Sequence, residues 1–282
     1  MKERTIESVV RCTPQPGTGI LHPFPTRDLA HLNPFVFLDT GAPRDLGEDE
    51  IYVGPHPHRG VQPVSLLFRG RIAHRDSLGT ERRVDSGGMQ WLVSGRGALH
   101  EEILGGDEEG IFHMAQLWIN VPEAMKMQAP EHHAIAADDI PVFSNFGEGS
   151  SIRLYAGSLG EFRGPAPMPT KVLVAHVTLS PGGIVVIPSE SGWTTAFTVV
   201  DGHVSCSHQD TLGPGDTPIF RDDGNTLRVT STHGGQFLLM CGEPIDEPIA
   251  MGGGFVMNTR EEVARAFEDY RSGIMGHLVA TR

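Results

Sequence analysis

Two histidine-bearing motifs, well separated along the chain, hold its densest chemistry. The first is Gly54-Pro55-His56-Pro57-His58-Arg59-Gly60, and the second is Gly95-Arg96-Gly97-Ala98-Leu99-His100-Glu101-Glu102. His56 and His58 are two apart, which on a strand sends both rings to one side. Pro57 excludes the helical alternative. His100 and Glu102 repeat the same spacing. Two neighbouring strands carrying these motifs would offer three imidazoles and one carboxylate to a common centre. Glu101 should then point the other way, although the sequence alone leaves the register of Glu101 and Glu102 open. A set of three nitrogens and one oxygen suits a borderline divalent ion such as Fe(II), Cu, Ni, Mn or Zn. On an octahedral ion, four protein ligands leave two positions open; on zinc, a four-ligand tetrahedral site would be closed and structural. A lone surface His-x-His is ordinarily a polar turn. The second pair, flanked by glycines in a strand-rich chain, is what favours a metal.

The elements that must position these residues read as short strands. Val61–Phe68 ends at Gly70, Gly88–Val93 ends at Gly95, and Met114–Asn120 ends at Pro122. Asp76-Ser77-Leu78-Gly79-Thr80 reads as a hairpin loop. From Pro122 to Gly149 periodicity fades, and a linker or connecting excursion is expected there. Strand-like runs resume with Lys171–Leu179, Ile184–Pro188, Thr194–Val200, Val204–Ser207, Leu227–Ser231 and Gln236–Cys241. The repetition of short strands in both halves predicts two β-sandwich or barrel domains in tandem. One helix is expected near the C-terminus. Thr259 and Glu262 have capping-box spacing, and Val263, Ala266, Phe267 and Tyr270 then form one apolar stripe, with Gly273 as the stop. The expected use of that stripe is to pack on its own domain.

Composition narrows the function. The 282 residues include 35 glycines and 21 prolines, far above the background for a helical protein and in keeping with many turns. A net charge of −13 disfavours direct contact with nucleic-acid phosphates. No apolar run reaches the length of a membrane span, so no membrane association is expected. Met1-Lys2-Glu3-Arg4 lacks the apolar stretch of a secretory signal. Cys12, Cys206 and Cys241 are odd in number and far apart. They form no disulfide framework, and a reducing cytoplasm is the expected location.

The motifs taken together resemble the pirin family. The resemblance is carried by Asn33-Pro34-Phe35-Val36-Phe37-Leu38-Asp39, His56-Pro57-His58-Arg59-Gly60, Asp76-Ser77-Leu78-Gly79, Met89-Gln90-Trp91-Leu92, and Gly95-Arg96-Gly97 through His100-Glu101-Glu102. Gln116-Leu117-Trp118-Ile119-Asn120-Val121-Pro122, Gly242-Glu243-Pro244-Ile245-Asp246-Glu247-Pro248-Ile249 and Phe255-Val256-Met257-Asn258-Thr259 extend it from about residue 20 to about residue 275. It implies an all-β bicupin: an N-terminal metal-binding cupin over residues 1–135, and a C-terminal cupin without metal ligands over residues 136–282, ending in a helix at about 259–271. It also implies one mononuclear ion, chiefly iron, on His56, His58, His100 and Glu102, the set that spacing alone suggests. Some bacterial members have quercetin 2,3-dioxygenase activity, whereas the nuclear member of animals is an iron-dependent transcriptional co-regulator.

Two functions are therefore expected to compete. One is a dioxygenase in which Fe(II) binds a phenolic or enolic substrate. The other is a redox-sensing regulator that acts through a protein partner. One position departs from the family, where Glu usually stands four residues after the second histidine and this chain has Gln62. Gln62 cannot take a proton from a substrate hydroxyl, so a base would have to be Glu102, Glu101 or a metal-bound hydroxide. His74 and His113 are further candidates to line the pocket. Trp91 and Met89 are expected in the core, and His132-His133 in a solvated loop. In the second half, His203 and His208 lack a carboxylate at ligand spacing and are expected at the surface.

Overall fold

The structure is a computed structural model that describes residues 2–206 and 211–282. The chain divides into two compact units, each discontinuous in sequence. One comprises Met1–Ala42 with Asp138–Pro244, and the other Pro43–Ala137 with Ile245–Arg282. A linear division between residues 135 and 136 is therefore crossed at both ends of the chain. The N-terminal strand Ile6–Val10 pairs with Thr217–Phe220, and the C-terminal helix packs with Leu99.

In the first unit, seven antiparallel strands run in the order Ile6–Val10, Thr217–Phe220, Thr194–Gly202, Gly235–Gly242, Val172–Leu179, Ser150–Ala156, Val142–Phe143. A three-stranded sheet of Ile184–Pro188, Thr226–Thr230 and Ser205–Cys206 closes over them. Alternation sends Val185, Ile187, Leu227 and Val229 from the small sheet into one core with Phe197, Phe237 and Leu239 from the large one. His203 is exposed; His208 and Ser207 lie outside the described residues.

The second unit is built the same way. Four strands, Glu50–His58, Ala98–Gly105, Arg71–Asp76 and Glu81–Asp85, form one sheet in that order. Opposite them, Glu131–Ile135, Met89–Val93, Val61–Arg69 and Ile111–Asn120 lie side by side. Leu67 and Phe112 meet Ile72, Val84 and Leu104 in a shared core. Val61–Phe68 is buried at every position or nearly so, which explains why it reads as a continuous apolar run. The segment expected to be a linker contains the strand Glu131–Ile135, paired with Met89–Val93. Its two histidines and one glutamate hid it from a hydrophobic-pattern reading.

The helix spans Arg260–Arg271 and has the expected capping box. The Glu262 amide donates to Thr259 Oγ1 at 3.2 Å, and the Thr259 amide donates to Glu262 Oε2 at 2.9 Å. Ala266 is fully buried and packs with Leu99, Phe255 and Met275, while Phe267 flanks them. Tyr270, expected in the stripe, is exposed. No helix among the described residues is long and apolar enough to cross a membrane.

Candidate metal centre

The Glu50–His58 and Ala98–Gly105 strands pair antiparallel, with His56 directly opposite His100 and His58 opposite Ala98. Alternation then brings the three rings together. Ring centroids lie 5.0 Å apart for His56–His58, 4.3 Å for His56–His100 and 5.0 Å for His58–His100. One nitrogen from each lies within 4.8 Å of the others. His56 Nδ1 is 2.9 Å from the Gly54 carbonyl, and His58 Nδ1 is 3.1 Å from the Gly254 carbonyl. A carbonyl only accepts, so both Nδ1 atoms carry the proton and both Nε2 atoms hold a free lone pair. His100 Nε2 is buried without a hydrogen-bond partner.

Close backbone approach makes this possible. A Cβ at Gly254 would stand 2.0 Å from the Pro57 carbonyl oxygen and 3.1 Å from His58 Nδ1. At Gly60, where φ is +72°, a Cβ would stand 2.2 Å from the Val256 carbonyl oxygen. Arg59 is buried between them. Its Nε donates to the Arg96 carbonyl at 2.7 Å and its Nη1 pairs with Asp269 of the helix at 2.8 Å. The run His56–Gly60 thus alternates between two ring-bearing positions and residues that fasten the strand to the Gly95–Gly97 loop and the helix.

Register separates the two adjacent glutamates. Between the His100–His56 and Glu102–Val53 pairs, one residue on one strand faces two on the other, a bulge at Gly54–Pro55. Glu102 is buried and falls in a second group, with His74 and His100, whose donor atoms also lie within 4.8 Å of one another. Glu101 is not brought to either group. Its carboxylate accepts from Tyr52 at 2.6 Å and from Arg75 at 2.6 Å, and the Thr281 amide donates to it at 3.3 Å. Glu101, named as a candidate base, thus stands on the opposite side of the strand from the histidines, with its carboxylate engaged by Arg75 and Tyr52.

Residues that spacing did not select surround these groups. His74, Asp76 and Gln90 are buried, and His132 is half-buried. His74 Nε2 lies 3.2 Å from Asp76 Oδ2, and His74 Nδ1 lies 3.4 Å from His100 Nδ1. Gln90 Nε2 donates to Glu102 Oε1 at 2.6 Å, and its Oε1 lies 3.3 Å from His132 Nε2. The His74 and His132 rings stack with centroids 3.9 Å apart. His132 is thus on a strand rather than in a loop, and its neighbour His133 stacks on Trp91. The one sequence signal for this shell is His74-x-Asp76, again at strand spacing.

His113 packs instead against Phe68. Trp118 meets His58 edge-on at 4.9 Å. Gln62 is buried, but the regular register from Val61–Asn120 to Ser65–Gln116 puts it on the strand face of Val64 and Leu66. Ser65, three residues on, is the one that stands beside Glu102. The departure from the family at position 62 is therefore on the far side of the strand from the histidines.

Burial and the neighbouring rings disfavour the charged forms of His58 and His100. Burial, then the nearby His56, pushes His58 down to about 3. Burial and the surrounding histidines push His100 well below the ordinary range. Burial raises Glu102, so its proton is held more tightly than that of an exposed carboxyl. Imidazoles whose Nδ1 atoms face carbonyls, beside a buried carboxyl, fit a divalent ion: their Nε2 atoms are free to donate, and an ion would compensate the carboxylate charge.

The two units are cupins, and the fold is that of a bicupin with a buried histidine-glutamate candidate metal centre in one cupin. Residues 17–119 match the model of the family Pirin, and residues 174–276 that of the Pirin C-terminal cupin domain. Human pirin is 30% identical over 258 residues, covering 88% of this chain and 85% of that protein. A Pseudomonas aeruginosa protein provisionally named as a quercetin 2,3-dioxygenase is 33% identical over 262 residues, 89% of this chain and 91% of that one. The crystal structure of quercetin 2,3-dioxygenase from Acinetobacter baumannii superposes with a TM-score of 0.90 at 30% identity, covering 99% of this chain and 100% of that one. The chain belongs to the pirin family.

Proposed function

We propose that the protein is a metal-dependent oxidoreductase of the quercetin 2,3-dioxygenase type, with a mononuclear Fe(II) held by His56, His58, His100 and Glu102. The observation that carries this reading is the convergence of three imidazoles on one point. Likeness to the Acinetobacter enzyme and the Pseudomonas protein over nearly the whole chain supports the reaction class. When bound, the ion supplies Lewis acidity toward a phenolate or enolate oxygen and one-electron redox chemistry.

The protein's own residues would supply the rest. The carbonyls of Gly54 and Gly254 hold His56 and His58 in the tautomer that donates through Nε2. Glu102 stands with His74 and His100 in the buried cluster, where its carboxylate is placed to take a proton from a substrate hydroxyl. Gln90 and Ser65 fix the direction of the Glu102 carboxyl. Trp118 walls His58 on one side and limits water there. Gln62, facing away, takes no part, so its lack of a carboxylate is no obstacle to this reading.

The test is direct. Protein loaded anaerobically with iron is given quercetin under oxygen, and the flavonol absorbance is followed beside an equal amount of free iron. Loss well above free iron, abolished in His100→Ala, is the expected result. Stoichiometric iron binding with no such loss rejects the dioxygenase and leaves the redox-sensing regulator, for which partner affinity should then differ between the two oxidation states.

A further inference from the structure

The nearest groups to the cluster that the proposed function leaves unused are Asp76, His74 and His132. Asp76 ends the Arg71–Asp76 strand, where its Oδ1 accepts from the Leu78 and Thr80 amides at 2.9 Å each. Its Oδ2 is left for His74 Nε2. Two amide donors on Oδ1 favour the ionised form of Asp76. An ionised carboxylate only accepts, so His74 carries its proton on Nε2. A neutral His74 then has its lone pair on Nδ1, and the atom facing that lone pair is His100 Nδ1. His100 Nδ1 must donate. That leaves His100 Nε2 bare, and Nε2 is the buried nitrogen without a partner.

We infer that Asp76, acting through His74, is a positioning residue that sets the tautomer of His100 and so makes its Nε2 a metal ligand. This rests on the proposed metal centre. His56 and His58 take the same tautomer from backbone carbonyls, which side-chain substitution leaves in place. Among the described residues no such carbonyl faces His100, and its tautomer hangs on a string of two side chains. If the string were reversed, with His74 protonated on Nδ1, His100 would turn a proton rather than a lone pair toward its partners. Four ligands would become three.

The substitution that separates this role from the turn is Asp76→Asn. The asparagine oxygen can still accept from the Leu78 and Thr80 amides, but the group facing His74 Nε2 becomes an NH2 donor. His74 must then shift its proton to Nδ1, and His100 must shift its own to Nε2. Nitrogen-15 NMR of the metal-free full chain reads both tautomers without any metal. The expected wild-type result is His74 protonated on Nε2 and His100 on Nδ1, with both reversed in Asp76→Asn. His100 protonated on Nε2 in the wild type overturns the inference.

The second readout is Co(II) affinity by chelator competition. Asp76→Asn should lose about 10- to 100-fold, with little change in the melting of the metal-free protein. His74→Phe should lose as much, and the double variant no more than His74→Phe alone, because Asp76 acts only through that ring. Losses that multiply, or an Asp76→Asn affinity within two-fold of wild type, overturn the inference. A wild-type chain that binds no Co(II) rejects the metal centre itself, a separate result from either of these.

Discussion

Lowering the pH should destabilise the metal-free protein well before its surface carboxylates titrate, and His58 should be a main cause. The ring is buried, beside His56, and its pKa falls from 6.5 to about 3. In the unfolded chain the ring returns to its ordinary value, so between pH 6.5 and 3 the unfolded state binds the extra proton. Stability contributed by the neutral ring is therefore intact above pH 6.5 and is lost as pH falls through the window. Each pH unit of displacement is worth roughly 1.4 kcal/mol. Over the two units from 6.5 to 4.5, His58 alone should cost about 3 kcal/mol, and about 5 kcal/mol by pH 3. Urea unfolding at half-unit steps from pH 7 to 4.5, on chelator-stripped wild type and on His58→Asn, isolates the term, because carboxylates titrate alike in both. Parallel stability curves for the two proteins over this window would refute the reasoning, since they would mean that His58 is charged or solvated in the folded state.

Other consequences are smaller or more local. Lys126 is buried and its Nζ donates to the Gly60 carbonyl, Asn120 Oδ1 and the Val256 carbonyl; burial lowers it to about 8. Its unfolded form holds the proton up to about pH 10.5, so stability should rise between pH 8 and 10, and Lys126→Met should remove that rise in a pH series of thermal melts. Thr259→Ala removes the oxygen that accepts from the Glu262 amide and should cost about 1 kcal/mol, read by urea unfolding; no change would deny the capping box any energetic role. Gln62→Glu puts a carboxylate in a buried setting turned from the histidines, so the protein should lose about 2 kcal/mol or more while flavonol turnover fails to increase. A gain in turnover would place residue 62 at the reaction centre. Glu101→Gln should weaken the Arg75 and Tyr52 contacts and lower the melting temperature, with Co(II) affinity unchanged.

The sequence by itself determined the three histidines. A two-residue spacing, a proline that forbids a helix and strand-rich surroundings are local facts, and local facts decide which side of a strand a ring occupies. The capping box was legible for the same reason, since all its atoms lie within four residues. What only the tertiary structure decided was register and neighbourhood. Glu101 and Glu102 are adjacent, and the bulge at Gly54–Pro55 on the partner strand settles where each stands. Gln62 was suspect until its pairing with Ile119 put it on the far face. His132 reaches Gln90, and through it Glu102, only because the Glu131–Ile135 strand pairs with Met89–Val93, and no local pattern announces that pairing. The direction of a side chain is written in its own strand, but the groups it meets depend on which strands lie beside it, through contacts between residues far apart along the chain.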